Sequence, residues 1–301
     1  MNYRIGIDIG GTSAKLGVVD EAFHIVERAK VKTGKEFTAD DILEAIAAAA
    51  RPLCEQYGIE TVGVGSPGRV NPDTGVVERS GNLPFSHTPV APKLSALLGR
   101  PVFLDNDAKC AMRGEQAAGA CKGMQNALLL TIGTGLGGAI LIDGKIYRGV
   151  DNLAGELGHF VMDMNDHHYR SGDLYGCFEG FASASALVWM ARPAIEAHPD
   201  SVLAKMSREG LEGRTLFDAM AAGCPVAKDV LTEYGRRFAL GVDSLSYIFR
   251  PQVIVLSGGL SKAGQTLLDL IAPHRVTDTP LALTTLFGDG GLIGASLLGI
   301  E

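Results

Sequence analysis

A glycine- and threonine-rich turn between two apolar strands occurs twice in this chain. Residues 5–20 read IGIDIGGTSAKLGVVD, and residues 128–143 read LLLTIGTGLGGAILID. Each copy predicts a strand, a tight turn and a second strand that ends at an aspartate. Backbone N–H groups in such a turn can converge on an anion because glycine has no Cβ to block the approach, and threonine hydroxyls add donors. The two hairpins therefore indicate a fold with two halves that together bind a polyphosphate.

The composition limits the class of protein. The chain has 301 residues, of which 46% are hydrophobic and 20% charged, so we expect about two domains with sizeable cores. The net charge is −7 and no Lys/Arg-rich run occurs, which argues against nucleic acid as a partner. The apolar stretch 127–142 is too short to span a bilayer and is interrupted by glycines, and we find no signal peptide. Five cysteines without a CxxC spacing favour a reducing compartment, so the expected location is cytoplasmic, without a membrane partner.

Strand and helix signals alternate along the chain, which predicts the α/β class. Thr38 is predicted to cap a helix that ends at Gly58, with Asp41 in the capping-box position. Pro52 and Pro193 are predicted to kink their helices. The predicted strands cover 3–9, 14–19, 22–31, 61–68, 101–107 and 251–259, and the other predicted helices cover 107–119, 181–198, 225–248 and 291–298.

Two glycine patterns resemble a dinucleotide-binding fingerprint but occur in the wrong context. Residues 133–138 and 63–68 both satisfy GxGxxG. The fingerprint requires a helix directly after the glycines, so that the helix N-terminus meets the pyrophosphate. Here the first match continues into a strand and the second into a loop with a proline. The sequence also lacks GxxxxGK[ST], the other common phosphate loop.

Several motifs in a fixed order give the chain a resemblance to the ROK family, bacterial sugar kinases and related repressors of the actin/hexokinase-like superfamily. The resemblance implies a two-domain actin-like ATPase (ribonuclease H-like) α/β fold with an inter-domain cleft. It implies an N-terminal domain over 1–118, to which a C-terminal helix at about 289–301 returns, and a larger domain over 119–288. The motifs are DIGGT (8–12), GVGSPGRVNPDTGVV (63–77), GNLP (81–84), LDND (104–107), GTGLGG (133–138), AGELGH (154–159), GCFE (176–179), PQVIVLSGG (251–259) and GDGGLIGAS (288–296).

The resemblance also implies roles for individual residues. Asp107 is implied to be the general base that accepts the proton of the attacking sugar hydroxyl, which suits phosphoryl transfer. LDND alone favours the alternative that Asp107 is only a helix N-cap, and the ordered set of motifs favours the base. The implied sugar-binding residues are Gly68, Asn82, Asn106, Asp107, Glu156, His159 and Glu179. The residues implied to bind ATP are Asp8, which lies near Mg²⁺, together with Gly10, Gly11, Thr12, Lys15, Thr134, Gly135, Gly258 and Gly259.

The chain departs from the family pattern in two places. Lys109 stands where the family more often has asparagine or another small residue. Many members bind a structural Zn²⁺ through a CxCGxxGC cluster and a histidine, but here Tyr169 and Ser171 stand where two cysteines are expected. Only His159 and Cys177 remain, with the histidines at 167–168 as a further source, and a structural zinc site needs four ligands. We therefore expect a metal-free loop with His159 facing the sugar.

The resemblance implies an ATP- and Mg²⁺-dependent hexokinase that forms a homodimer, with glucose as the expected sugar bound between the domains. The same residue set serves kinases of N-acetylmannosamine, fructose, allose and β-glucosides. A sugar-responsive repressor would need a DNA-binding module, for which the chain has no room before residue 5. A non-catalytic sugar-binding protein is a further alternative, against which the presence of Asp8, Asp107, Glu156 and Glu179 argues.

Overall fold

The computed structural model describes residues 2–166, 170–171 and 174–300. The chain divides into two compact units. The first unit comprises Met1–Gln125, Ala139–Gly155 and Thr285–Glu301. The second unit comprises Asn126–Gly138 and Glu156–Thr284.

Strands and helices alternate through most of both units. The strands are β1 (Arg4–Ile9), β2 (Ser13–Val19), β3 (Ile25–Lys32), β4 (Val62–Ser66), β5 (Arg69–Asn71), β6 (Val76–Arg79), β7 (Ser86–Thr88), β8 (Val102–Asn106), β9 (Ala127–Ile132), β10 (Leu136–Ile142), β11 (Lys145–Ile146), β12 (Arg170–Ser171), β13 (Leu174–Tyr175), β14 (Val253–Ser257) and β15 (Leu281–Leu283). The α-helices are α1 (Ala39–Tyr57), α2 (Val90–Leu98), α3 (Asp107–Ala118), α4 (Phe178–Ala182), α5 (Ala184–Ala197), α6 (Val202–Met206), α7 (Gly213–Ala221), α8 (Pro225–Phe249), α9 (Gln265–Ile271) and α10 (Gly290–Ala295).

A five-stranded sheet with the order β3-β2-β1-β4-β8 is the centre of the first unit. The strands β1, β2 and β3 pair antiparallel, whereas β1, β4 and β8 run parallel. The middle parallel strand, β4, is buried along its whole length, as is typical of a parallel strand with both faces covered. Helix α1 packs against α2 and β3, and α10 packs against α3 and β1. A smaller antiparallel sheet, β5-β6-β7, follows β4 in the chain.

Helix α1 has the ends that the sequence predicts. The Thr38 hydroxyl accepts from the Asp41 N–H at 3.1 Å, and the Asp41 carboxylate accepts from the Thr38 N–H at 2.9 Å, which confirms the capping box. Gly58 ends the helix in the left-handed conformation, with φ of 63°. The helix continues through Pro52 in a single element.

Close approach of backbones holds α10 in the first unit. A Cβ added at Gly63 would lie 2.7 Å from the Ala295 carbonyl carbon, and one at Gly6 would lie 2.9 Å from the Ser296 nitrogen. A Cβ at Gly294 would lie 2.6 Å from the Cys110 carbonyl carbon. Glycine at these positions lets α10 contact β1, β4 and α3 directly.

The second unit is built on parallel strands covered by helices. Strand β14 pairs with β9 on one side and β15 on the other, parallel in both cases. Helix α8 packs against α4, α5, α7 and α9. In the core of this unit the Phe238 ring contacts the rings of Phe178 and Tyr234, and the Tyr234 hydroxyl donates to the Ala182 carbonyl. Strand β10 begins in this unit, and its last residues, which pair with β11, belong to the first.

The structure corrects parts of the predicted helices. The single helix predicted over 181–198 is divided at Ser183, whose hydroxyl accepts from the Ala186 N–H at 3.0 Å and so begins a new helix, α5. Helices α2, α6, α7 and α9 were not predicted, because each is short and carries little periodic signal of its own. Among the helices of the described ranges, none is both long and apolar enough to cross a membrane.

Candidate active site

Three parallel strands of the first unit end at the same edge of their sheet, and the predicted catalytic and phosphate-binding residues follow them. Asp8 on β1 pairs in register with Gly65 on β4, and Gly65 pairs with Asp105 on β8. Two strand spacings separate the Asp8 and Asp105 backbones by about 10 Å. The first hairpin and Asp107 therefore lie at one edge, the position at which open α/β sheets bind ligands.

Asp107 is the first residue of α3, and it is not the N-cap. Asn106 holds that position: its Oδ1 accepts from the N–H groups of Ala108 at 3.0 Å and of Lys109 at 3.2 Å. The Asp107 carboxylate accepts from the Ala108 N–H at 2.8 Å and is half-buried. The alternative that Asp107 merely caps the helix is therefore wrong. A carboxylate in the first helical turn is also stabilised by the helix dipole.

The loop after β4 lies against Asn106. The Asn106 Nδ2 donates to the Gly68 carbonyl at 3.3 Å. Gly68 has a φ of 102°, and a Cβ there would lie 2.9 Å from the Ser80 Cα, so only glycine fits. Asn106 therefore contacts both α3 and this loop with its side-chain amide. The sequence did not indicate this positional role.

The first hairpin, between β1 and β2, contacts Asn82. The Gly10 N–H donates to the Ser13 carbonyl at 3.0 Å, which closes the turn, and the Thr33 hydroxyl donates to the Gly10 carbonyl at 2.6 Å. A Cβ at Gly11 would lie 3.1 Å from the Asn82 Cβ. Asn82 is exposed, as is Thr12 at the tip of the turn. One predicted sugar-binding residue thus lies beside the predicted phosphate-binding glycines.

Asp8 and Lys15 face each other across the first hairpin. They are paired residues of β1 and β2. Burial raises the pKa of the Asp8 carboxyl, and the Lys15 charge acts in the opposite direction. The Lys15 Nζ lies 3.4 Å from the Gly288 carbonyl oxygen, and a Cβ at Gly291 would lie 3.3 Å from the Asp8 Oδ1.

The segment 288–291 is part of this site, although the sequence assigned it no role. Its glycines leave space beside both the Asp8 carboxylate and the Lys15 ammonium. The run GDGG was the available signal. This run does not by itself indicate a contact with Asp8 and Lys15, because those two residues lie at the other end of the sequence.

The turn of the second hairpin belongs to the second unit and contacts Glu179. The Gly133 N–H donates to the Gly135 carbonyl at 2.9 Å, which forms the turn. The Glu179 Oε2 accepts from the Leu136 N–H at 2.7 Å. Thr134 is exposed at the tip of the turn. A residue predicted only for the sugar therefore also fixes the backbone of the predicted phosphate turn.

Gly258 and Gly259 follow β14, beside the end of β9. Gly258 has a φ of 91°, and a Cβ there would lie 2.5 Å from the Ile132 carbonyl oxygen. The nearest atom to a Cβ at Gly259 is 4.0 Å away. Gly258 is thus required by backbone geometry, whereas Gly259 presents an open, exposed surface.

The three predicted sugar-binding residues of the second unit lie together. The His159 Nδ1 is 3.4 Å from the Glu156 Oε2. The hydrogen bond to Glu156 raises the pKa of His159, burial acts against it, and the charges of Glu156 and Glu179 raise it further. A Cβ at Gly158 would lie 3.2 Å from the Leu136 Cβ, so the turn that carries His159 packs against the start of β10.

The stretch that corresponds to the zinc-binding cluster of other family members, residues 169–179, is only partly described. The positions 167–169 lie outside the described residues, so the replacement ligands considered there are not placed. Cys177 is buried before α4. Within the ranges that the structure describes, no three or more His, Cys, Asp or Glu side chains group as metal ligands.

Each unit contains one of the two predicted phosphate-binding turns and part of the predicted sugar-binding set. The first unit contains Asp8, Gly10, Gly11, Thr12, Lys15, Gly68, Asn82, Asn106 and Asp107. The second unit contains Thr134, Gly135, Glu156, His159, Glu179, Gly258 and Gly259.

Comparison with known proteins gives one consistent family. The model of the ROK family matches residues 4–298. The chain is 37% identical to the glucokinase of Streptomyces coelicolor over 90% of this chain and 86% of that protein. It is 32% identical to the glucokinase of Thermotoga maritima over 97% of this chain and 95% of that protein.

A solved structure agrees in fold. The chain superimposes on a ROK family glucokinase from Streptomyces griseus in complex with glucose and AMPPNP with a TM-score of 0.85, at 34% identity and over 98% of both chains. The predicted fold class, the actin-like α/β fold of the ROK sugar kinases, is thereby confirmed.

Proposed function

The chain belongs to the ROK family, and on that premise we propose that it is an ATP-dependent sugar kinase that phosphorylates the 6-hydroxyl of glucose. The observation that carries the proposal is the likeness, over 98% of both chains, to a glucokinase solved with glucose and an ATP analogue. The glucokinases of two further organisms match most of their own length. An enzyme of this kind needs an oriented hydroxyl, a proton acceptor and donors for the phosphates.

Asp107 is the proposed general base. It takes the proton from the sugar 6-hydroxyl as that oxygen attacks the γ-phosphorus and ADP leaves. The proposal is supported by its half-buried position as the first residue of α3, directly after the N-cap Asn106.

The two glycine-rich turns are proposed to bind the ATP phosphates. Thr12 and Thr134 are exposed at their tips, where hydroxyl and backbone donors suit phosphate oxygens. Lys15 adds a positive charge next to the first turn. Gly258 and Gly259 are proposed to lie against the adenosine.

Asp8 is the residue proposed to hold Mg²⁺, through the phosphates. A carboxylate oxygen is the ligand type that Mg²⁺ prefers, and Gly291 leaves the space beside the Asp8 oxygens open. The residues present therefore fit the ion. When bound, Mg²⁺ neutralises charge on the transferred phosphoryl group.

Sugar binding is proposed for Gly68, Asn82 and Asn106 in the first unit and for Glu156, His159 and Glu179 in the second. Carboxylates, amides and imidazole give the directional hydrogen bonds that sugar hydroxyls need. A homodimer and a cytoplasmic location are further proposals. The second is supported by five free, buried cysteines and by the need for cellular ATP.

A coupled ADP-release assay with MgATP and a panel of sugars tests the function. The panel holds glucose, mannose, fructose, allose, N-acetylmannosamine, N-acetylglucosamine and cellobiose. We expect the highest kcat/KM with glucose, and no turnover by Asp107→Asn, although glucose still raises the thermal midpoint of that variant. A higher kcat/KM on another sugar would refute glucose, and wild-type kcat in Asp107→Asn would refute the base.

A further inference from the structure

A stretch without regular secondary structure, residues 148–155, is held by charged side chains from both sides of Asp107. We call residues 148–155 the return segment. They are the last residues of the first unit before the chain returns to the second unit at Glu156. Gly149, Asn152 and Gly155 are left-handed, with φ of 69°, 64° and 104°. The Ala154 N–H donates to the Arg148 carbonyl at 3.1 Å, which closes the segment into a compact turn.

The first anchor of the return segment is Arg148. Its guanidinium donates two hydrogen bonds to Asp105, at 3.0 Å and 2.6 Å. The Asp105 side chain is only 3% exposed, so the bidentate ion pair supplies partners that a buried carboxylate requires. Asp105 lies two residues before Asp107, at the end of β8.

The second anchor is Lys109, two residues after Asp107. Lysine is rarely buried, yet Lys109 is only 5% exposed, and its ammonium donates to the Asn152 carbonyl. Gln116, two turns along the same face of α3, donates to the Gly144 carbonyl at 2.7 Å. One face of α3 thus contacts the chain both within the return segment and shortly before it.

These contacts surround the junction between β8 and α3, which we define as residues 105–109. Inside the junction, Asn106 fixes the first turn of α3. At its two ends, Asp105 and Lys109 each contact the return segment. The backbone that carries Asp107 is therefore restrained from both directions.

We propose that Lys109 and Arg148 are positioning residues that fix the Asp107 carboxylate by tying the junction to the return segment. The inference rests on the proposed function, in which Asp107 is the base.

The effect should fall on kcat. A misplacement of about 1 Å can reduce a rate by up to about a hundredfold without removing any substrate contact. Lys109→Met keeps most of the side-chain volume and removes the donor. We expect kcat to fall by about tenfold or more, with the KM values for glucose and MgATP within about threefold of wild type.

Arg148→Lys is the second variant, because it keeps the charge and loses only the bidentate geometry. Its kcat should fall in the same direction, by less. Arg100→Met is the matched control: Arg100 donates to the Ile59 carbonyl at 2.8 Å, at the opposite end of β8, and its loss should leave kcat unchanged. Thermal midpoints and circular dichroism establish that each variant is folded.

Hydrogen exchange over residues 149–155 gives a readout independent of turnover. Exchange should be faster in Lys109→Met than in wild type and in Arg100→Met. Wild-type kcat in Lys109→Met, or raised KM values with unchanged kcat, would overturn the positioning role. If the wild-type chain phosphorylates no sugar, the proposed function fails, and unchanged exchange in Lys109→Met would then separately refute the anchor.

Discussion

Replacing Gly294 with alanine should destabilise the first unit, although a glycine-to-alanine change inside a helix normally has the opposite effect. Gly294 lies in α10, where that helix contacts α3. A Cβ at this position would lie 2.6 Å from the Cys110 carbonyl carbon and 2.7 Å from the Gly114 nitrogen, and closer still to the Cys110 oxygen. All three atoms belong to the backbone of α3, so no side-chain rotation relieves the overlap.

The size of the effect follows from these distances. Contacts with carbon are favourable at about 3.5 Å, and the overlap with the Cys110 oxygen is the deepest of the three, so the two helices would have to separate by more than about 1 Å. Overpacking of a core costs about 1–3 kcal/mol, and an unyielding backbone contact belongs at the upper end. Helix propensity offsets about 1 kcal/mol of this. The net loss should be about 2 kcal/mol, which lowers Tm by about 4–8 °C in a domain of this size.

Gly290→Ala is the matched control, because it changes the same residue type in the same helix. Its Cβ would meet its nearest neighbours at 3.7 Å, an ordinary contact. Differential scanning calorimetry of wild type and both variants should show a lower Tm for Gly294→Ala only. A Gly294→Ala protein as stable as wild type would refute the argument that glycine permits this helix contact.

Three further predictions concern the second unit. Gly258→Ala should lower Tm more than Gly259→Ala, because its φ of 91° and the nearby backbone of β9 both exclude a side chain; equal Tm values would contradict this. Glu179→Ala should raise the KM for MgATP as well as for glucose, since its carboxylate accepts from an N–H of the second hairpin, whereas Glu156→Ala should raise only the KM for glucose. An unchanged KM for MgATP in Glu179→Ala would refute the role of Glu179 in holding the second hairpin. Glu156→Gln should lower the pKa of His159, measured by NMR, because the contact with Glu156 is the main cause of its elevation. The stabilisation from this raised pKa is complete below the ordinary histidine pKa of about 6.5 and is lost as the pH rises through the folded-state value.

The sequence predicted those elements that are determined by residues close to one another in the chain. The capping box at Thr38 joins residues three positions apart, and the structure contains it. The start of α3 at Asp107 followed from an apolar strand that runs directly into polar and helix-forming residues. The turns of both hairpins depend on glycine and threonine at adjacent positions, so a single window of sequence contains the whole signal.

Features that depend on contacts between residues far apart in the sequence could not be predicted from such short windows. Asn106 caps α3 with the side chain that the family resemblance assigns to sugar binding. Asparagine suits both roles, so the sequence did not indicate the cap. The Glu179 contact with the second hairpin joins residues that the sequence separates by more than forty positions. The anchoring of 148–155 by α3 likewise depends on where a buried lysine points, and no periodicity encodes that direction.

The contact of α10 with β1 and β4 also constrains the order in which the protein folds during synthesis. The strands lie near residues 4–9 and 62–66, whereas their partner helix lies at 290–295. The core formed by residues 5–104 is complete without α10, whereas the glycine positions that α10 covers stay uncovered until almost the whole second unit has left the ribosome. Until then the surface formed by Gly6 and Gly63 is open to water and to other chains, so the nascent protein should depend on chaperones for longer than its domain sizes suggest.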